Sequence, residues 1–268
     1  MLRTVAPAPE PCDCPGCSGT DLDPADLIDD LIDGGALLLG CEDPLEVEMF
    51  AANLLAVGNQ AGEGFAEALA GAVVPALEQI GSREALAVLC AIAALEEGDA
   101  AATAAHRLTT AGLAAPGWAA ELRLPVDTTE LLRFADPGDN LSVLVATFTR
   151  AGRTHGFSIN VVHRDCHAAA EILIFPGEAL PQVTDMIQHG DGSRTLVITR
   201  APIAPADFRW EAERALNARS DHDQDPDSPP PPPDEDDDAP DYHLSAELLR
   251  ARLRLLPPPS RPPAQHGD

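Results

Sequence analysis

Residues 141–162 read LSVLVATFTRAGRTHGFSINVV, and the pattern of these residues indicates the fold class. Its first nine residues are rich in β-branched and apolar side chains, which is typical of a strand. Arg150 to Thr154 has the composition of a turn, and Gly156 to Val162 has that of a returning strand. The segment therefore predicts a β-hairpin.

Further strands and helices follow this hairpin. Residues 170–175 and 194–200 predict two more strands, and residues 178–188 and 205–219 predict two helices. The order β-β-β-α-β-α is typical of helices packed against a mostly antiparallel sheet. We therefore predict an α+β domain over residues 123–219.

The region before the sheet, residues 21–122, predicts an all-helical unit. Apolar residues recur there at helical spacing, with acidic residues on the opposite side. Five such segments are joined by short turns of Gly, Asn and Pro, and Ser82 is the predicted N-cap of one of them. This pattern is typical of stacked helical hairpins or a small bundle. The whole chain is thus predicted to be α+β.

The charge of the chain is strongly negative and unevenly distributed. All 17 basic residues are Arg, and 44 Asp and Glu give a net charge of −27. Residues 1–122 carry −17, residues 123–219 carry −2, and residues 220–268 carry −8. Neutralising phosphates requires clustered basic side chains, and anionic lipid repels an acidic surface. We therefore expect no nucleic-acid partner and no membrane partner. The ten Arg of the α+β domain could still bind a small anionic ligand.

The N-terminus shows no pattern of a secretory signal. Met1 to Pro11 holds one Arg and three Pro but no apolar core region. The longest uninterrupted apolar run, Ala85 to Leu95, is far shorter than the roughly 20 residues needed to span a bilayer. These features predict a cytoplasmic protein.

A Cys-rich leader, residues 1–20, contains the sharpest local motif. Cys14-Pro-Gly-Cys17 has the spacing of a zinc knuckle, and Cys12 supplies a third thiolate within reach. A closed tetrahedral site needs a fourth ligand, for which Cys41 is the nearest candidate. The motif predicts a zinc site formed by Cys12, Cys14, Cys17 and Cys41. The alternative is a set of reduced thiols without metal.

A second motif, His163-Arg-Asp-Cys-His167, ends the second predicted strand. It offers a thiol nucleophile in Cys166, two imidazoles in His163 and His167, and a carboxylate in Asp165. These four residues are the candidate catalytic group, and the two His could also bind a metal. On a strand, Cys166 would point away from the other three, which favours the alternative of a polar turn.

The last part of the chain combines a linker with a short amphipathic motif. Residues 220–242 are rich in Asp and Pro and cannot bury enough apolar surface to fold, so they predict a disordered linker. Residues 243–257 repeat Leu at helical spacing and contain three Arg, which predicts a helix. Residues 258–268 predict a disordered terminus. The helix is expected to bind a protein partner, a second subunit or the acidic unit of its own chain.

Two functions follow from these patterns. The separated charges, the helix behind a linker and the lack of P-loop, dinucleotide-binding and nucleophile-elbow motifs favour a non-catalytic protein-interaction or regulatory protein. The alternative is a metal-binding protein or a Cys/His-dependent enzyme that uses the Cys cluster or the segment His163 to His167. No cofactor other than zinc is expected.

Overall fold

Helices form the N-terminal part of the chain and an antiparallel sheet follows them, which confirms the predicted α+β class. The structure is a computed structural model that describes residues 24–61, 64–138, 140–189, 198–225 and 241–262. Cys12, Cys14, Cys17 and most of the predicted linker and terminus lie outside these ranges.

Seven helices precede the sheet within the described ranges: α1 (Pro24–Leu38), α2 (Pro44–Ala61), α3 (Phe65–Ala68), α4 (Val74–Ile80), α5 (Arg83–Leu95), α6 (Ala100–Thr110) and α7 (Trp118–Leu122). A π-helical turn at Leu69–Val73 joins α3 to α4, and Pro75 lies in the first turn of α4, directly after that π-helical turn. The hydroxyl of Ser82 accepts a hydrogen bond from the Ala85 N–H at 3.1 Å, which confirms the predicted N-cap of α5.

The central helix of this unit is α5, which is apolar on nearly every side. Helices that are apolar all round are buried, and α5 packs against α1, α2, α4 and α6. The approach of α1 depends on Gly35, because a Cβ atom there would lie 2.5 Å from the carbonyl oxygen of Glu84.

The sheet has five strands in the order β4-β3-β2-β1-β5, all antiparallel: β1 (Asp127–Ala135), β2 (Leu141–Arg150), β3 (Arg153–Val162), β4 (Ala168–Pro176) and β5 (Thr199–Pro202). The predicted hairpin is β2 and β3. Its two-residue turn, Ala151-Gly152, has positive φ at both positions, as tight hairpins with the twist of natural strands require.

The remaining elements are a 3₁₀ turn at Gly177–Ala179 and three helices: α8 (Leu180–His189), α9 (Pro205–Gln224) and α10 (Tyr242–Leu253). The structure adds β1 to the predicted order. It also extends α9 five residues beyond Arg219, into the segment predicted as linker. The predicted helix within residues 243–257 is confirmed as α10.

The two faces of the sheet pack against different helices. In β2, Val143 and Val145 face α8, whereas Leu144, Ala146 and Phe148 face the larger apolar cluster. That larger cluster includes side chains from α2, α5, α7, α9 and α10. One apolar core therefore joins segments from the predicted helical unit, the α+β domain and the C-terminal helix.

Candidate functional site beneath the C-terminal helix

Of the four predicted zinc ligands, only Cys41 lies within the described residues. It follows the end of α1 as a free, half-buried thiol that donates a weak hydrogen bond to the Leu37 carbonyl oxygen at 3.8 Å. Burial and the neighbouring Glu46 carboxylate raise the pKa of the Cys41 thiol, so the protonated form is favoured. Across the ranges that the structure describes, no three His, Cys, Asp or Glu side chains are placed to share a metal ion. The four-Cys zinc site stays a prediction.

The candidate catalytic residues form the turn between β3 and β4. The rings of His163 and His167 lie 4.5 Å apart between centroids and are tilted by 33°. His163 Nε2 is 2.9 Å from the Ser142 hydroxyl, and the Asp165 carboxylate is 3.6 Å from His222 Nδ1 on α9. The turn thus brings the two predicted imidazoles together and connects them to β2 and α9.

The backbone of this turn is strained. Cys166 and His167 have φ values of 50° and 61°, in the left-handed region that costs a non-glycine residue about 1–2 kcal/mol. Cys166 is a free, half-buried thiol. Because the segment is a turn rather than a strand, the alternation that would separate Cys166 from the other three residues does not apply here. A catalytic role for this group stays a prediction.

A buried cluster of four charged or polar side chains, which the sequence motifs do not indicate, lies elsewhere in the fold. Glu48 on α2, Arg150 at the end of β2, His155 on β3 and Arg252 on α10 meet between the sheet and the C-terminal helix. Glu48 is 2% exposed, Arg252 is 1% exposed and His155 is 6% exposed. We refer to these four residues as the charge cluster.

The strands place two members of the charge cluster by simple alternation. Arg150 continues the row of side chains to which Phe148 belongs, and His155 begins the row to which Phe157 belongs. Both rows lie on the sheet face that packs against the larger apolar cluster. The hairpin turn at Ala151-Gly152 therefore brings Arg150 and His155 to the edge of that core.

Helical spacing places the other two members. Glu48 precedes the buried Ala52 by four residues on α2, and Arg252 follows the buried Leu248 by four residues on α10. Residues four apart lie on the same side of a helix. Each charged side chain thus belongs to the apolar stripe of its own helix and enters the core with it.

The carboxylate of Glu48 is the centre of the charge cluster. It accepts two parallel hydrogen bonds from Arg252, Nη1 to Oε1 at 3.0 Å and Nη2 to Oε2 at 2.5 Å, and one from Arg150 Nη1 at 2.7 Å. Arg252 Nε also donates to His155 Nε2 at 3.1 Å. Since Nε2 accepts this bond, the geometry assigns His155 as the neutral tautomer with its proton on Nδ1.

Burial and charge set the protonation states of the cluster. Burial raises the pKa of Glu48, but the guanidinium groups of Arg252 and Arg150 outweigh it and hold that pKa below its ordinary value. Burial, reinforced by Arg252, lowers the pKa of His155 to about 4. At neutral pH the cluster therefore holds an ionised Glu48, two guanidinium cations and a neutral imidazole.

The Leu stripe of α10 packs within the same chain. The buried side chains are Leu248, Leu249, Leu253 and Leu256. Polar contacts hold the ends and flanks of the helix: Asn59 donates to Glu247, Arg250 donates to Asn217, and Arg254 donates to Glu97 and to the Leu95 carbonyl oxygen. The face that was expected to bind a partner or a second subunit is thus covered in cis.

The docking surface of α10 also holds unsatisfied polar atoms. Among the described residues, the buried side-chain atoms without a hydrogen-bond partner are Arg150 Nε, Tyr242 Oη and Ser245 Oγ. Tyr242 and Ser245 belong to α10, and Arg150 belongs to the charge cluster beneath it. Each such atom costs about 1–3 kcal/mol, because it loses its hydrogen bonds to water without replacement. This interface is consequently less favourable than its apolar area alone indicates.

No protein-family model, no curated protein and no solved structure matches this chain. Within the described ranges, no helix combines the length and the apolar character needed to cross a bilayer. Function is therefore inferred from the geometry of the chain itself.

Proposed function

We propose that this protein is a non-catalytic protein-interaction or regulatory protein in which α10 is a reversibly bound helical ligand of the rest of the chain. The observation that carries the proposal is the polar content of the otherwise apolar α10 interface, where the Arg252–Glu48 pair is buried and two α10 side chains, Tyr242 and Ser245, leave polar atoms unsatisfied. A segment that only completed the core would be expected to present an apolar face without a buried charge.

The energetics of buried ion pairs support this proposal. Removing two charges from water offsets most of their mutual attraction, so an intact buried pair adds little net stability. Removing one partner, in contrast, leaves an uncompensated charge and is strongly unfavourable. The pair between Glu48 and Arg252 therefore defines where α10 binds without making its attachment tight.

The connection between α9 and α10 also supports reversible binding. Residues 226–240 contain seven Pro and six acidic residues, a composition typical of extended linkers. Covalent attachment through a short tether gives a bound helix an effective concentration on the order of millimolar. A modest affinity is then enough to keep α10 bound, and a partner of higher affinity displaces it.

Cleavage of the linker tests the proposal. A protease site placed in residues 226–240 of the full-length protein allows the chain to be cut after folding. We expect the cut protein to stay assembled at high concentration and to release the C-terminal piece on dilution, with a dissociation constant on the order of micromolar. Size-exclusion chromatography and circular dichroism follow release and folding, and the uncut protein is the control. If the larger piece unfolds as the smaller one leaves, α10 is an integral core element and the proposal fails.

A Cys/His-dependent enzyme or metal-binding protein is the second candidate. Cys166 and His167 both have left-handed backbone conformations, and the His167 ring lies next to that of His163. Backbone strain of this kind clusters at functional sites. A thiol-reactivity profile combined with elemental analysis separates the candidates. A hyper-reactive Cys166 or one equivalent of zinc favours this second function, and inert thiols without metal favour the first.

A further inference from the structure

We propose that the surface beneath α10 recognises an amphipathic helix of a partner protein through an arginine at the position of Arg252, with Glu48 as the residue that reads it. The inference rests on the proposed function, since a partner helix binds there only if α10 leaves. The occupant is thus a basic, Leu-rich helix that competes with α10.

The geometry of the charge cluster defines the required side chain. Arg252 uses three N–H groups at once, two toward the oxygens of Glu48 and one toward Nε2 of His155. A guanidinium is planar and presents its donors as a fixed fork, whereas a lysine ammonium is a compact point charge. Arginine alone among the side chains satisfies Glu48 in two parallel bonds and His155 in a third.

The surroundings of the cluster define the rest of the ligand. The buried Leu248, Leu249, Leu253 and Leu256 repeat at the spacing by which an amphipathic helix fills an apolar groove. Outside that stripe, Arg254 reaches Glu97 at 3.1 Å and Arg250 reaches Asn217 at 3.0 Å. The charge of −17 over residues 1–122 also attracts a basic helix over longer distances.

The cluster also rejects helices that lack the arginine. A neutral side chain at this position would leave the Nε2 acceptor of His155 without its donor. Arg150 would then be the only cation of the cluster that contacts Glu48. Specificity arises when a wrong partner leaves buried polar groups unpaired. Because Arg150 stays at 2.7 Å from Glu48, the carboxylate keeps one cation, and the loss is smaller than for an isolated charge.

Competition between labelled peptides tests the inference. The probe is a fluorescein-labelled peptide of residues 241–262, added to the linker-cut protein so that it competes with the native C-terminal piece. We expect Arg252→Gln in the peptide to weaken binding by about 100-fold and Arg252→Lys by at least about tenfold. Arg261→Gln is the matched control, because the ion pair of Arg261 with Asp207 lies at the surface, with side-chain exposures of 54% and 41%, and we expect a change within about threefold.

All variation lies in the peptide, so the folded protein is the same in every measurement. If the dissociation constant of the Arg252→Gln peptide is within threefold of that of the native peptide, the inference that the site recognises arginine is wrong. Binding of both peptides would still support the proposed function. If no peptide enters the site, even at high concentration, the proposed function itself fails.

Discussion

Replacing Glu48 with glutamine is expected to lower the free energy of unfolding by about 3–5 kcal/mol. The substitution preserves shape but removes the negative charge that two guanidinium groups contact: that of the buried Arg252 at 2.5 Å and that of the partly exposed Arg150 at 2.7 Å. Two cations would then face each other in the core with no anion between them. Urea denaturation at pH 7, followed by circular dichroism, measures the change.

The matched control is Glu78→Gln. Glu78 also forms a close pair with an arginine, Arg107, but on the surface of the helical region. Exposed ion pairs contribute little, because water already stabilises both charges. We expect the unfolding midpoint of this variant to stay close to that of the wild type. Equal losses in the two variants would contradict the importance assigned to burial of the charge cluster.

Acidification is expected to weaken the fold between pH 6.5 and pH 4 through His155. The pKa of this residue is about 4 in the fold and 6.5 in an ordinary environment. In this interval the unfolded chain binds a proton that the folded chain does not bind, so lower pH favours unfolding. The gap between the two values corresponds to a loss of up to about 3 kcal/mol, reached near pH 4.

The variant His155→Gln isolates this effect. The glutamine carbonyl oxygen can accept the hydrogen bond from Arg252 Nε but does not titrate. We expect the free energy of unfolding of this variant to change less than that of the wild type between pH 6.5 and 4.5, when both are measured by urea denaturation. Below 4.5, protonation of Glu48 in the unfolded chain weakens both proteins in the same direction. Parallel pH profiles would show that His155 is not the responsible group.

Much of the fold is predictable from hydrophobic spacing. Apolar residues at helical spacing before residue 122 and the alternation of residues 141–162 assign helices and sheet to the correct parts of the chain. The sequence does not predict β1, because Asp127, Glu130 and Arg133 interrupt its apolar residues and only Leu132 and Phe134 are buried. The sequence also does not predict the end of α9, because its last residues are too polar to show which side of the helix is buried.

The charge cluster is harder to predict, because it forms from four distant segments. The sequence does give one indication: Arg252 lies four residues from both Leu248 and Leu256 and therefore on the apolar side of the helix, whereas Arg250 and Arg254 lie on other sides. Such a position indicates a buried arginine that needs an anion. Nothing in the sequence chooses Glu48 among 44 acidic residues, since that choice depends on how α2, the hairpin and α10 pack together.

If α10 is reversibly bound, it detaches while the rest of the chain stays folded, and native-state hydrogen exchange of the intact protein measures that opening. We predict that the amides of α10 exchange through an opening whose free energy is at least about 2 kcal/mol below that of β2 and β3. Exchange of α10 and the central strands at the same opening free energy, with the same denaturant dependence, would contradict the claim.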